Sequence, residues 1–282
     1  MSTQAMITRQ LLRKAGIWNK PLEEIRQTMA GIKGSPLPEG IVSCTMSVAG
    51  VDCEVFRHAD GAPRRTVLYF HGGGFCLGIY DANRSFVAGL AQLLDADVTM
   101  PDYRLAPEHP YPAAYDDARA VLQALSVCSR LIVMGDSSGC ALALSTLQGL
   151  SVTPQAMVMI TPVLDLTDGQ TRISQSVKKD PFRLDDPLKL TRHYTGGHMP
   201  AIPAISPIYA EPKSLPPTLI HAAQYDAFLS DAVRFKEKAD QIGTDVTLKI
   251  WPKMWHIFHM QAPFVPEASR ALSEMKAFVQ KF

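Results

Sequence analysis

Leu131-Ile-Val-Met-Gly-Asp-Ser-Ser-Gly-Cys-Ala-Leu-Ala-Leu-Ser-Thr-Leu147 is the stretch from which the architecture follows. Leu131 to Met134 is a short apolar run of strand character, and Cys140 to Leu147 is a helix candidate rich in small residues. Between them lies Gly135-Asp-Ser-Ser-Gly139, a G-x-S-x-G pentapeptide. Chance gives roughly 0.1 such matches in a chain of this length and ordinary composition, so the pattern alone weighs little. Its setting weighs more. A tight strand-to-helix turn lifts the serine at its apex clear of the sheet, and the flanking glycines let the chain turn that sharply. The plainer alternative is an ordinary turn in which Ser137 or Ser138 caps the helix.

The alternation continues on both sides. Thr66 to Phe70, Asp97 to Met100, Met157 to Ile160, Thr218 to His221 and Val246 to Trp251 read as strands. Ala113 to Leu125, Asp231 to Gln241 and about Pro266 to Val279 read as helices. Ile41 to Val48 and Val51 to Arg57 form a hairpin candidate across Ala49-Gly50. The expectation is a mostly parallel sheet covered by helices on both faces, with chemistry at the carboxyl ends of the strands. Met6-Ile7, Leu11-Leu12 and the proline-led Pro21 to Met29 suggest two helices before the sheet. Residues 166–214 interrupt the rhythm with prolines, glycines and charges, around a helical piece at Asp186 to Tyr194. The chain thus divides into an N-terminal helical segment (1–40), a first core part (41–165), an insertion (166–214) and a second core part (215–282).

The 282 residues carry a net charge of +1, and with no basic stripe a nucleic-acid partner is not expected. A chain this long buries a core without disulfide or metal staples. The five cysteines are odd in number and form no C-x-x-C, which points to a reducing compartment and to no zinc site. The N-terminus lacks a signal-peptide pattern, and no apolar stretch nears the roughly 18 residues of a membrane span. A cytoplasmic protein is expected.

His71-Gly-Gly-Gly74 follows the strand at Thr66 to Phe70, so bare backbone N–H groups can approach a ligand. Acyl transfer needs such donors where negative charge develops on a carbonyl oxygen. Gly72 and Gly73 N–H, with Ser138 N–H, are the expected oxyanion donors, and His71 is expected to orient the loop. The phosphate-cradle alternative lacks both G-x-x-x-x-G-K-[ST] and G-x-G-x-x-G. Among eight histidines, the chain order serine, acid, histidine selects His256, beyond the last strand, with His259 as its rival. Asp226 is the expected acid. Asp231 reads instead as an early helix residue that also holds the loop.

These motifs, with Asp102-Tyr-Arg-Leu-Ala-Pro-Glu108, resemble the hormone-sensitive-lipase-like family of α/β-hydrolases from about residue 40 to the C-terminus. The resemblance implies an α/β-hydrolase fold of eight strands, with a cap built from the N-terminal helices and the insertion. It implies a serine carboxylesterase that cleaves short to medium acyl esters without metal or cofactor, using Ser137, Asp226 and His256. Tyr103, Arg104 and Glu108 are read as a structural network. The chain departs from the family pattern at Ser138, commonly alanine, and at Cys140 and Ile257, where glycine is frequent. Its acid loop reads Asp-Ala-Phe-Leu-Ser-Asp rather than the Asp-Pro-Leu type. An arylformamide, a carbamate or an acetylated natural product would suit the same triad, and a non-catalytic receptor is the rival of another class. Met6, Trp18, Met29, Phe182, Leu188 and Tyr194 are the candidate pocket residues, Cys76 is a candidate modifiable thiol, and a homodimer is left open.

Overall fold

The structure, a computed structural model, describes residues 1–62, 64–167, 179–182, 186–212 and 215–282. One eight-stranded sheet runs through it. Its strands are β1 (Ile41–Val48), β2 (Val51–His58), β3 (Arg65–Phe70), β4 (Ala96–Pro101), β5 (Leu131–Asp136), β6 (Ala156–Ile160), β7 (Thr218–Ala223) and β8 (Val246–Trp251), in the order β1-β2-β4-β3-β5-β6-β7-β8. The hairpin β1-β2 and the pair β2-β4 are antiparallel, and every other pairing is parallel.

The parallel strands are apolar on both faces because both are covered. Leu68, Phe70 and Val133 face one core, which holds Val121 and Leu122 of α4 (Ala113–Leu125), Leu142 of α5 (Ser138–Gly149) and Phe235 of α7 (Leu229–Gln241). Val67, Tyr69, Ile132 and Met134 face the other, against Val87 and Leu90 of α3 (Asp81–Leu94) and Met275 and Val279 of α8 (Pro266–Val279). Alternate residues of one strand therefore feed opposite cores, as the two-residue period of a strand requires. Ahead of the sheet, α1 (Thr3–Ala15) and α2 (Leu22–Gly31) occupy the positions expected of two helices. Ser2 fastens α1 to α8 through two hydrogen bonds to Glu267.

The strand order reverses at β3. The chain leaves β3 toward β4 on one side, whereas β5 lies on the other. The loops after β3 and β5 diverge there, which opens the crevice where such sheets bind ligands. His71 to Gly74 and Ser137 occupy those two loops.

Two differences from expectation concern helices. α3 had not been read from the sequence, and the helix expected over Asp186 to Tyr194 is the shorter α6 (Thr191–Thr195). Of the insertion, residues 168–178, 183–185 and 213–214 lie outside the described residues. Among the described residues, no helix is long and apolar enough to cross a membrane.

Candidate active site

Ser137 follows β5 with φ 52° and ψ −123°, a backbone conformation that costs a non-glycine residue free energy and persists only when its surroundings impose it. The surroundings do so. Ser137 N–H donates to Ile160 O at 2.9 Å, and Ser137 O accepts from Val163 N–H at 3.1 Å. The outgoing helix passes against β3 so closely that a Cβ on Gly139 would lie 2.0 Å from Phe70 O. Glycine is required there by close approach.

Ser137 Oγ is 2.8 Å from His256 Nε2, and His256 Nδ1 is 2.9 Å from Asp226 Oδ2. With Nδ1–H donating to the carboxylate, Nε2 is left bare to accept the serine proton. The second oxygen of Asp226 accepts from Phe228 N–H at 2.9 Å, which fixes the carboxylate plane. Burial pushes the imidazole pKa down, but the Asp226 charge and hydrogen bond, with the charges of Asp180 and Asp136, together outweigh it, and the net shift is upward. A third carboxylate lies nearby: buried Asp180 accepts from His256 N–H at 3.3 Å and from Phe182 N–H at 2.9 Å. Burial, then the Asp226 charge, pushes Asp180 up to about 7. Nothing in the sequence pattern had marked Asp180.

The rivals stand elsewhere. His259 is fully buried, with its Nε2 3.1 Å from His221 Nδ1. Asp231 lies in α7, where one carboxylate oxygen accepts from the N–H groups of Leu164 and Asp165 at 2.8 and 3.0 Å. It lies early in its helix, as the sequence suggested, and the loop it holds is the one after β6.

The glycine loop departs from expectation. Gly72 N–H donates to Asp136 Oδ1 at 2.9 Å, and the same oxygen accepts from Tyr69 O–H at 2.7 Å. A buried carboxylate needs such donors, so Gly72 N–H is committed to Asp136 and is withdrawn as an oxyanion donor. Gly73 (φ 124°) N–H has no acceptor among the described residues. Ser138 N–H, in the first turn of α5, has no partner within its helix. Gly74 N–H, absent from the expected set, donates to Ser138 Oγ at 2.9 Å. Gly73, Gly74 and Ser138 all line the cavity beside Ser137.

His71 is fully buried, stacks on Tyr103 with ring centroids 4.3 Å apart, and bonds through Nδ1 to Gly72 O at 2.8 Å. Tyr103 O–H donates to His71 O at 2.7 Å, so both residues hold the loop, as expected. Arg104 and Glu108 each have a partner that spacing does not reveal. Arg104 pairs with Asp117 of α4, and Glu108 with Arg26 of α2.

The cavity over these groups is about 140 Å³ in volume. Trp18, Met29 and Phe182 line it, as expected. The other three candidates do not: Met6 is 46% exposed on α1, and Leu188 and Tyr194 are packed in the core. Leu190 and Phe228 take their place. Cys76 is buried, donates to Leu190 O and has its thiol pushed up to about 12 by burial, which leaves it packing rather than reactive. Ile257 adopts φ 47°, a left-handed conformation that is unusual for a β-branched residue.

Comparison with known proteins agrees with this geometry. A family model described as the alpha/beta hydrolase fold matches residues 67–260. An esterase of Acinetobacter venetianus is 34% identical over 241 residues, covering 82% of this chain and 79% of the relative. An acetyl-hydrolase of Streptomyces hygroscopicus is 33% identical, covering 77% of this chain and 75% of the relative. The crystal structure of a hormone-sensitive lipase from a metagenome library superposes with a TM-score of 0.89 at 34% identity, covering 98% of each chain. The chain therefore belongs to the α/β-hydrolase fold family, within its hormone-sensitive-lipase-like branch of bacterial esterases.

Proposed function

We propose that this carboxylic-ester hydrolase cleaves short to medium acyl esters by acyl transfer to Ser137, with His256 as base and Asp226 as its orienting acid. The observation that carries the reading is the unbroken chain Ser137 Oγ, His256 Nε2, His256 Nδ1, Asp226 Oδ2, at 2.8 and 2.9 Å, opening on an apolar cavity.

In this reading Ser137 Oγ attacks the ester carbonyl carbon as its proton passes to His256 Nε2. The carbonyl π pair moves onto oxygen, and the N–H groups of Gly73 and Ser138 stabilise the resulting oxyanion. Asp226 keeps the imidazole in the tautomer that accepts at Nε2 and stabilises the cation that forms. His256 then returns the proton to the leaving alcohol, and water repeats the sequence on the acyl-enzyme. The cavity volume and its Trp18, Met29 and Phe182 lining favour short to medium acyl chains.

The test is hydrolysis of p-nitrophenyl esters from acetate to palmitate, with Ser137→Ala alongside. Turnover is expected to be greatest on the short chains and absent from the folded variant. Wild-type rates in Ser137→Ala would overturn the assignment. An acetylated natural product is the second reading, favoured by the 33% identity to the Streptomyces acetyl-hydrolase. Turnover of acetate esters alone would support it.

A further inference from the structure

The residue after the nucleophile is a second serine, Ser138. Ser138 is fully buried and is one of the residues that line the reaction cavity. Oγ accepts the Gly74 N–H at 2.9 Å, and no atom among the described residues accepts the hydroxyl proton. A buried O–H without an acceptor is costly, by about 1–3 kcal/mol, and such groups are rare unless a ligand completes them.

We propose that the Ser138 hydroxyl is a side-chain oxyanion donor that relays the Gly74 N–H: Gly74 N–H donates to Ser138 Oγ, and Ser138 Oγ–H donates to the substrate carbonyl oxygen. The inference rests on the acyl-transfer reading above. As the bond from Ser137 Oγ to the carbonyl carbon forms, the π pair moves to oxygen and the Ser137 proton moves to His256 Nε2. The Ser138 proton is donated in a hydrogen bond and is not transferred. Two physical effects make the relay useful. A hydroxyl whose oxygen already accepts a hydrogen bond is polarised and donates more strongly. A hydroxyl donor to an anionic oxygen also makes a shorter bond than an amide does, roughly 2.5–2.7 Å against 2.7–2.9 Å. The gain appears only where charge develops, so it belongs to kcat rather than to KM.

The geometry admits an opposite reading, in which Ser138 Oγ merely occupies an amide that the oxyanion needs. The two readings predict opposite signs for Ser138→Ala. Loss of an oxyanion donor typically costs about 100- to 1000-fold, but alanine frees Gly74 N–H as a partial substitute, so the relay predicts a loss of about tenfold in kcat. KM for p-nitrophenyl butyrate stays within about twofold of wild type, because uniform binding is untouched. An aryl trifluoromethyl ketone, whose hemiketal places an oxyanion in the same hole, loses affinity for Ser138→Ala by the same factor as kcat/KM. Ser138→Thr, which keeps the hydroxyl, retains kcat within about threefold.

An alanine variant as fast as wild type or faster, or a threonine variant as slow as alanine, would overturn the relay. Failure of the underlying reading looks different: the wild type would not hydrolyse the ester, or Ser137→Ala would still do so. Thermal melts of each variant report that the fold is intact.

Discussion

At the scale of single residues, the roles of Asp226 and His256 divide between geometry and charge. The imidazole must be neutral to accept the Ser137 proton. Its pKa lies above the ordinary 6.5 because the Asp226 charge and hydrogen bond, with the charges of Asp180 and Asp136, together outweigh the effect of burial. The kcat/KM profile should therefore fall on the acid side through a midpoint above 6.5, and Asp226→Asn should move that midpoint down. The same variant should lower kcat by roughly three to four orders of magnitude, since an amide holds the wrong tautomer. A pH series with wild type and variant measures both effects, and an unmoved acid limb would separate Asp226 from His256. These residues were legible because chain order and strand ends constrain them. The fate of Gly72 was not legible. Three consecutive glycines look alike in sequence, and only the fold brings the Asp136 carboxylate onto the first of their N–H groups. Asp180, in a stretch with no periodic pattern, was hidden for the same reason.

At the scale of elements, α2 is attached to the core by buried Ile25, by Leu22 and by the polar contacts of Arg26. Its guanidinium donates to Cys76 O at 2.9 Å and Ala106 O at 2.9 Å as well as to Glu108. The two carbonyls belong to buried residues, whereas the Glu108 side chain is 54% exposed. Magnitudes decide which contact matters. Carbonyls left without a donor cost about 1–3 kcal/mol each, and an exposed ion pair contributes about 0–1 kcal/mol. Arg26→Ala should therefore lower Tm clearly, with Glu108→Ala well behind it, and calorimetry on the two variants checks the ranking. Because Trp18 and Met29 flank this attachment and line the cavity, Arg26→Ala should also raise KM more than it lowers kcat. The strands of the core were readable because burial on both faces produces unbroken apolar runs. Helix α3 was harder. Its first half carries Asp81, Asn83 and Ser85, which compete with the backbone for hydrogen bonds, and Gly89 weakens the second half. Its packing of Val87, Leu90 and Leu94 against the sheet decides the matter, and that is a tertiary effect. The Asp186 to Tyr194 piece errs the other way, since its first five residues turn rather than coil and only Thr191–Thr195 is helical.

At the scale of the whole molecule, the fold buries histidines in neutral form, and this sets how it responds to acid. His71 and His221 are both pushed down by burial from 6.5 to about 4. His259, facing His221, is pushed down as well. A histidine with a depressed folded pKa contributes stability that is present above 6.5 and is lost as pH falls toward its folded value. At about 1.4 kcal/mol per unit, His71 and His221 each contribute about 3 kcal/mol, a large share of a typical total of about 5–15. Asp180 has the opposite sign. Its raised pKa means a contribution fully present below about 3.8 and lost as pH rises through about 7. Asp136, Asp102 and His256, all raised, share the sign of Asp180, whereas Asp95, Glu108 and Glu267, all lowered, act with the histidines, so Tm should fall as pH drops from 6.5 toward 4. Asp180→Asn separates the two effects. It removes a buried charge that exists only on the alkaline side, at the cost of one of the two acceptors that serve Phe182 and His256. The variant should therefore gain Tm relative to wild type at pH 8.5 and lose that advantage at pH 5.5. A difference in Tm that does not change between those two pH values would mean that Asp180 does not titrate between them, which would overturn its raised pKa.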